Sequence, residues 1–102
     1  MHPVHDADAL LLLAVALSSK RRPADLVEIV AAIDLIHAAI PAEAKLAEAF
    51  ARLARHGLID AREAGFALTP PAQAMIGELP KKADAAERLF TIKGKLAAWN
   101  GS

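Results

Sequence analysis

The stretch AEAKLAEAFARLARHGLIDAREAGFALTP, residues 42–70, decides the predicted fold. Residues 42–56 form its helical part, in which several apolar side chains share one arc of the helical wheel and should face a core: Leu46, Ala49, Phe50 and Leu53. Gly57 can adopt the left-handed conformation that ends a helix, and Leu58 can then fold back on the last turn in a Schellman motif. We therefore expect this helix to end at Gly57.

A short hairpin is predicted directly after that helix. Residues 58–61 and 66–69 read as two strands around a turn at 63–65, and the alternation of Phe66 and Leu68 with small or polar residues indicates a half-buried strand. Thr69 then caps a fourth helix, which extends from Pro70 to about residue 77. The hairpin is the only place in the sequence where strand alternation surrounds a turn.

Two helices are predicted before this stretch. The first runs from an N-cap at Asp6 to about Ser18. The second begins at Pro23, because the missing N–H of proline costs nothing in a first turn, and it breaks at Ile40-Pro41. The expected buried stripe of the second helix consists of Leu26, Ile29, Val30, Ile33 and residues 36–40.

A last helix follows a linker at residues 78–80. Asp84 and Glu87 have the spacing of a capping box, and the helix should end near residue 99. Its apolar residues are spaced four, three, four and three, which is the seam of a short coiled coil: Ala85, Leu89, Ile92, Leu96 and Trp99. This stripe packs either on the first helix of the same chain or on a second copy of the chain.

The pattern of the first helix favours packing on a second copy of the chain, because this helix is apolar nearly all round and must be covered on both sides. One chain of this size offers little surface for that purpose. We therefore predict a homodimer whose interface contains Leu11, Leu12, Val15, Leu89, Ile92, Leu96 and Trp99.

Length and composition indicate one small domain, residues 1–102. Of its 102 residues 55% are hydrophobic but only 4% are aromatic, which suits packed helices, and it has no cysteine for disulfides or thiolate chemistry. The longest apolar run, 9–17, is too short to cross a bilayer, and its flanking charges are reversed for a signal peptide. We expect a soluble cytoplasmic protein that has no membrane contact.

Enzyme chemistry is not expected. The sequence contains no glycine-rich phosphate loop and no arrangement of nucleophile, base and acid that stands out. Its four histidines lie apart from any carboxylate cluster with metal-ligand spacing. We therefore predict neither a cofactor nor a metal.

The pattern from Leu46 through Gly57-Leu58-Ile59 to Phe66-Ala67-Leu68-Thr69-Pro70 resembles the winged helix-turn-helix regulators of bacteria, of the MarR and PadR type. The resemblance covers about residues 7–77, with 81–99 as an added C-terminal helix. It implies a mainly helical fold with a two-stranded wing and flanking helices that form a dimer. It also implies binding of double-stranded DNA and a role in transcription regulation.

The same resemblance implies where DNA contacts would lie. The outward face of the third helix would enter the major groove, since it holds Ala44, Glu48, Ala51 and Arg55 flanked by Lys45 and Arg52. The wing contributes Arg62, and the loop after the first helix could reach backbone phosphates through Lys20, Arg21 and Arg22. On the residues alone, the same helix face is also an ordinary solvated surface with i,i+4 ion pairs.

Charge favours a different function. The chain has 12 basic and 12 acidic residues, distributed as three and five in 1–40, four and four in 41–69, and five and three in 70–102. Proteins that bind DNA gain much of their affinity by neutralising phosphates, which requires a basic surface. The alternative prediction is therefore a winged helix that serves as a protein-interaction or assembly module without binding DNA.

Overall fold

The computed structural model describes residues 4–20, 22–36, 42–63, 65–80 and 82–99. Within these ranges the elements follow in the order α1 (Asp6–Ser18), α2 (Leu26–Ile36), α3 (Glu43–Arg55), β1 (Ile59–Arg62), β2 (Gly65–Leu68), α4 (Pro70–Gly77) and α5 (Ala85–Ala98). The predicted fold class is confirmed, because the described chain is mainly helical with one antiparallel hairpin between α3 and α4. No helix in these ranges is both long and apolar enough to cross a membrane.

Helix α1 lies at the centre of the fold. Every residue from Asp8 to Val15 is buried, and α1 contacts α2, α3, α4, α5 and β2. A helix that is apolar all round must be covered on all sides. The expectation that one chain could not do so is wrong, because five elements of the same chain surround it. Leu11, Leu12 and Val15 are fully buried inside the chain and are not available to a partner.

Helix α5 packs on α1 with the stripe that resembled a coiled-coil seam. Ile92 and Leu96 are fully buried, while Leu89 and Trp99 are half-buried against the same core. The indole Nε1 of Trp99 donates to the carbonyl oxygen of His56 at 2.8 Å, which ties the end of α5 to the end of α3. Ile92 and Leu96 therefore belong to the core of one chain, and their assignment to a dimer interface is corrected, whereas that of the half-buried Leu89 and Trp99 stays a prediction.

Helix α2 begins later than predicted, at Leu26 instead of Pro23. Ala24 is extended and pairs with Phe66 of β2. The N–H of Ala24 donates to the carbonyl oxygen of Phe66, with N and O 2.8 Å apart, and the N–H of Phe66 donates to that of Ala24 at 2.7 Å. Asp25 then caps the helix, since its carboxylate accepts the N–H of Glu28 at 2.8 Å. Leu26 is 51% exposed and not part of the buried stripe, whereas Ile29 and Ile33 are buried. The predicted break at Ile40-Pro41 lies outside the described residues.

The first helix also begins differently from the prediction. Asp6 is its first helical residue, and His5 holds the N-cap position. The carboxylate that serves the cap is that of Asp8, which accepts the N–H of His5 at 2.9 Å. At α5 the prediction is confirmed, because Asp84 accepts the N–H of Glu87 at 2.8 Å.

The junction between α3 and the hairpin follows the local sequence signals. Gly57 has a φ of 73°, its N–H bonds the carbonyl of Ala54, and the N–H of Leu58 bonds that of Leu53 at 2.9 Å. This is the predicted Schellman motif. The strands pair in the register Ile59 to Leu68 through Arg62 to Gly65.

Thr69 precedes α4 as predicted, but its hydroxyl has another role. The hydroxyl donates to the carbonyl oxygen of Gly57 at 2.6 Å and makes no hydrogen bond to the first turn of α4. The Thr69 N–H also donates to the carbonyl oxygen of Leu58 at 3.2 Å. The residue therefore fastens the exit of the hairpin to the exit of α3.

Gly65 lies where the hairpin and the Ala24 segment approach each other closely. Its φ is 137°, and a Cβ built on it would lie 2.4 Å from the carbonyl oxygen of Ala24. We predict that Gly65→Ala lowers the free energy of unfolding by more than about 1 kcal/mol, because neither the backbone angle nor the space admits a side chain. Chemical denaturation measures this change.

Gly77→Ala is the matched control, since an added Cβ there meets nothing within 4 Å. It should leave the stability unchanged or slightly raised. Equal stability of the Gly65→Ala and Gly77→Ala variants would contradict the close approach at Gly65.

Candidate nucleic-acid interface

The outward face of α3 is open to solvent. Leu46, Ala49 and Leu53 are buried against the core. The opposite side of the helix exposes small and charged residues: Ala44, Lys45, Ala47, Glu48, Ala51, Ala54 and Arg55. Alanine side chains allow the close approach of another surface, such as the floor of a groove. We call these residues the α3 face.

Lys45 and Arg55 are the cations of this face that the fold leaves available. Both are exposed, and neither makes an ion pair or a side-chain hydrogen bond with another residue in the described ranges. Glu48 lies between them along the helix with a side chain that is 68% exposed. The α3 face therefore alternates in sign along its length and has a net charge of about +1.

Arg52 does not join the α3 face. Its guanidinium contacts the buried carboxylate of Asp8 in α1, with Nη2 to Oδ1 at 2.8 Å and Nε to the two carboxylate oxygens at 3.0 and 3.2 Å. The Asp8 side chain is fully buried and that of Arg52 is 21% exposed. A carboxylate without water requires such a paired and hydrogen-bonded cation.

This ion pair changes the interpretation of Arg52. The sequence suggested a residue that contacts base edges, whereas the structure places the guanidinium against α1. Arg52 Nη1 also lies 4.0 Å from Oε2 of Glu48, the i,i+4 neighbour on the same helix. Contacting a base would require Arg52 to leave a buried carboxylate unpaired, so its position fits a structural role.

Two further candidate cations are engaged by nearby acids. Arg22 makes a two-pronged contact with Glu28, from Nη1 and Nη2 to the two carboxylate oxygens at 2.9 Å each. Arg62 of β1 contacts Asp60 two residues earlier, with Nε to Oδ2 at 3.2 Å. Lys20 is exposed after α1, and Arg21 lies outside the described residues. The basic loop and the wing thus present less free charge than their sequences suggest.

The hairpin is positioned beside α3 by an aromatic contact. The rings of Phe50 and Phe66 have their centroids 4.5 Å apart at an interplanar angle of 32°. Because Phe66 also pairs with Ala24, one residue joins α3, the hairpin and the segment before α2. The α3 face and the wing are therefore held in a fixed relation.

Comparisons with known proteins add no family to this geometry. No protein-family model, curated protein or solved structure matches the chain. In the part of the chain that the structure describes, no three His, Cys, Asp or Glu side chains form a group that could hold a metal ion.

Sequence reasoning missed Asp8, the residue that fixes the orientation of α3. An acid followed directly by an apolar run on a central helix signals a buried charge that needs a cation. The identity of that cation is not readable from spacing, because Asp8 and Arg52 are 44 residues apart. The ion pair between Glu28 and Arg22 was missed for a related reason, since Arg22 lies in the loop before α2 and Glu28 lies in the first turn of α2.

We predict that Arg52→Ala lowers the free energy of unfolding by about 3–5 kcal/mol, because it leaves the Asp8 carboxylate buried and unpaired. Thermal or chemical denaturation followed by circular dichroism measures this loss. Arg55→Ala is the control on the same helix, three residues away and exposed, and should change stability by less than about 0.5 kcal/mol. Similar losses in both variants would show that Asp8 does not depend on Arg52.

Proposed function

We propose that the chain is a DNA-binding transcriptional regulator of the winged-helix type that acts as a homodimer. The observation that carries this proposal is the α3 face, which lies beside a hairpin, is lined by alanines, and carries the available cations Lys45 and Arg55. In this function α3 enters the major groove, and the hairpin contacts the flanking backbone.

The spacing of the two cations suits a duplex. Ten residues of helix place Lys45 and Arg55 about 15 Å apart along the axis, so that both can contact one duplex when α3 lies in the major groove. Arg55 is opposite the core-facing side of α3 and is the better candidate for a guanine edge. Lys45 lies at the flank and suits a phosphate, as does Lys20 after α1.

The DNA-binding experiment compares single substitutions on the α3 face. Arg55→Ala should weaken binding to a selected duplex by about 1–3 kcal/mol, with less effect on random duplex, if Arg55 reads a guanine. Lys20→Ala should weaken all duplexes alike and reduce the salt slope by about 0.9, because it removes one phosphate contact. Fluorescence anisotropy over a salt series measures both effects.

Glu48→Gln tests the orientation of the α3 face directly. Removing the negative charge between Lys45 and Arg55 should strengthen non-specific binding, because it relieves repulsion of phosphate. Asp34→Asn on α2 is the control for charge alone, since Asp34 is exposed but lies outside the α3 face and the hairpin. The regulator function is refuted if wild type shows no salt-sensitive binding at low ionic strength and Glu48→Gln changes nothing.

The homodimer requires a surface beyond the one first predicted, since most residues of that surface are buried inside the chain. On the outer side of α5, Phe90 is 80% exposed beside a groove of about 370 Å³ lined by Val4, Lys93, Gly94 and Ala97. An added Cβ at Gly94 meets nothing within 4 Å. An antiparallel second α5 would place each Phe90 over the partner's Gly94, so that one two-fold axis satisfies both contacts.

We predict that Phe90→Asp weakens this dimer, because a carboxylate replaces the aromatic ring at its centre. Sedimentation equilibrium at tens of micromolar protein should show dimer for wild type and mostly monomer for the variant. Leu35→Asp is the matched control, since Leu35 is similarly exposed but lies on α2. A wild type that is monomeric under these conditions contradicts the proposed dimer.

A second candidate function is a protein-interaction module that does not bind DNA. The observation in its favour is that Arg22, Arg52 and Arg62 are each held by a carboxylate of the chain itself. In addition, the N–H of Glu28 in the first turn of α2 is already bonded by the carboxylate of Asp25. That helix end therefore offers less to a phosphate than an uncapped end would. The salt series described above decides between the two functions.

A further inference from the structure

Helix α2 presents an apolar stripe to solvent on the side opposite its buried residues. Ile29, Ala32 and Ile33 face the core. Val27 and Leu35 are 78% and 87% exposed, and the exposed Ala31 lies between them at i,i+4 spacing. Single exposed apolar residues are ordinary on protein surfaces, but a continuous stripe marks an interaction site. We call Val27, Ala31 and Leu35 the α2 stripe.

The charged residues of α2 itself and of the two residues before it have one sign. The segment 24–36 contains three acids, Asp25, Glu28 and Asp34, and no base. Arg22 neutralises Glu28, whereas Asp34 is exposed and makes no ion pair with another residue in the described ranges. Helical spacing puts Asp34 on the same side as Val27 and Ala31. The surface therefore combines apolar side chains with an available carboxylate.

We propose that the α2 stripe is a docking surface for a basic amphipathic helix of another protein. Ala31 leaves a gap between Val27 and Leu35 into which a large apolar side chain of the partner packs. A lysine or arginine one turn along the partner meets Asp34. This is the helix-on-helix mode of peptide recognition, in which apolar anchors supply affinity and charge selects the partner.

A second copy of this chain is a poorer occupant of the α2 stripe. Pairing α2 with itself around a two-fold axis would bring both Asp34 carboxylates into one interface to which α2 contributes no cation. Like charges brought together in this way oppose association. A basic partner removes that repulsion and neutralises the carboxylate, so the charge pattern selects it.

The docking surface is separate from the α3 face and from Phe90 on α5. Its three residues belong to α2 alone, so this inference does not rest on DNA binding or on the proposed dimer. A partner docked here would be recruited to the chain whether or not the chain is bound to a duplex.

The experiment uses a synthetic 18-residue helical peptide with leucine at i, i+4 and i+7 spacing and lysine elsewhere. Titration into the full ¹⁵N-labelled chain should shift the amide resonances of α2, with an affinity in the micromolar to millimolar range expected of a small interface. A peptide with glutamate in place of lysine should bind at least about tenfold more weakly, because Asp34 then repels it.

Variants of the chain separate docking from general attraction of a basic peptide. Leu35→Ser should lower the affinity for the lysine peptide about tenfold, because it removes a large apolar contact. Asp34→Asn should lower it about two- to fivefold and reduce its salt dependence. Leu17→Ser is the control, since it also removes an exposed leucine side chain, on α1, and should leave the affinity unchanged.

Several results would overturn the docking surface. These are the absence of binding at millimolar peptide, equal affinity of Leu35→Ser and wild type, and shifts that map to α5 in place of α2. Shifts of α2 that appear on concentrating the chain alone would make a second copy the occupant. DNA anisotropy of Leu35→Ser is measured in parallel and should equal wild type, so failure here is distinct from failure of the regulator function.

Discussion

The buried ion pair between Asp8 and Arg52 is the constraint on which the arrangement of the surface depends. Asp8 lies at the start of the helix that all the others surround, where no water reaches its carboxylate. Its oxygens are bonded by the Arg52 guanidinium and by the N–H of His5. Because Arg52 must point towards α1, the rotation of α3 about its own axis is fixed. Glu48 and Arg55 are thereby directed to solvent, and the available charge of α3 follows from a requirement of the core.

The second constraint is that α1 is apolar on all sides. Such a helix needs complete cover, and the hydrophobic pattern does not specify whether the cover comes from the same chain or from a partner. The described elements supply it from the same chain, with α2, α3 and α5 making most of the contact. The stripe of α5 is consequently packed on α1, and the most exposed large apolar side chains are Phe90 and, on the α2 stripe, Val27 and Leu35.

Most of the fold could be predicted from local sequence signals. The contacts between residues far apart in the sequence could not be predicted. Gly57 and Asp84 act through neighbours within a few residues, so the ends of α3 and α5 were predictable. The strands were placed within one residue for the same reason. Ala24 pairs with Phe66, which lies 42 positions later in the sequence, and α2 therefore begins after Ala24. Nothing in the sequence next to Ala24 indicates an extended segment. The prediction of Arg52 as a site residue was wrong for the same reason. The helical spacing that placed Arg52 on the outer face contains no information about Asp8.

The pairing of charges within the chain limits how it can bind a polyanion. Lys45 and Arg55 are separated by more than the Debye length of about 8 Å at physiological ionic strength, so they attract phosphates nearly independently. Few cations among the described residues are without an acidic partner, which means few released counterions and a weak non-specific affinity. Two copies on one duplex would double the phosphate contacts, and the linkage between them would raise the affinity beyond that of either copy. The proposed DNA binding of a neutral chain would therefore depend on the proposed dimer more strongly than that of a basic chain, which makes the surface at Phe90 as important to the proposed function as the α3 face itself.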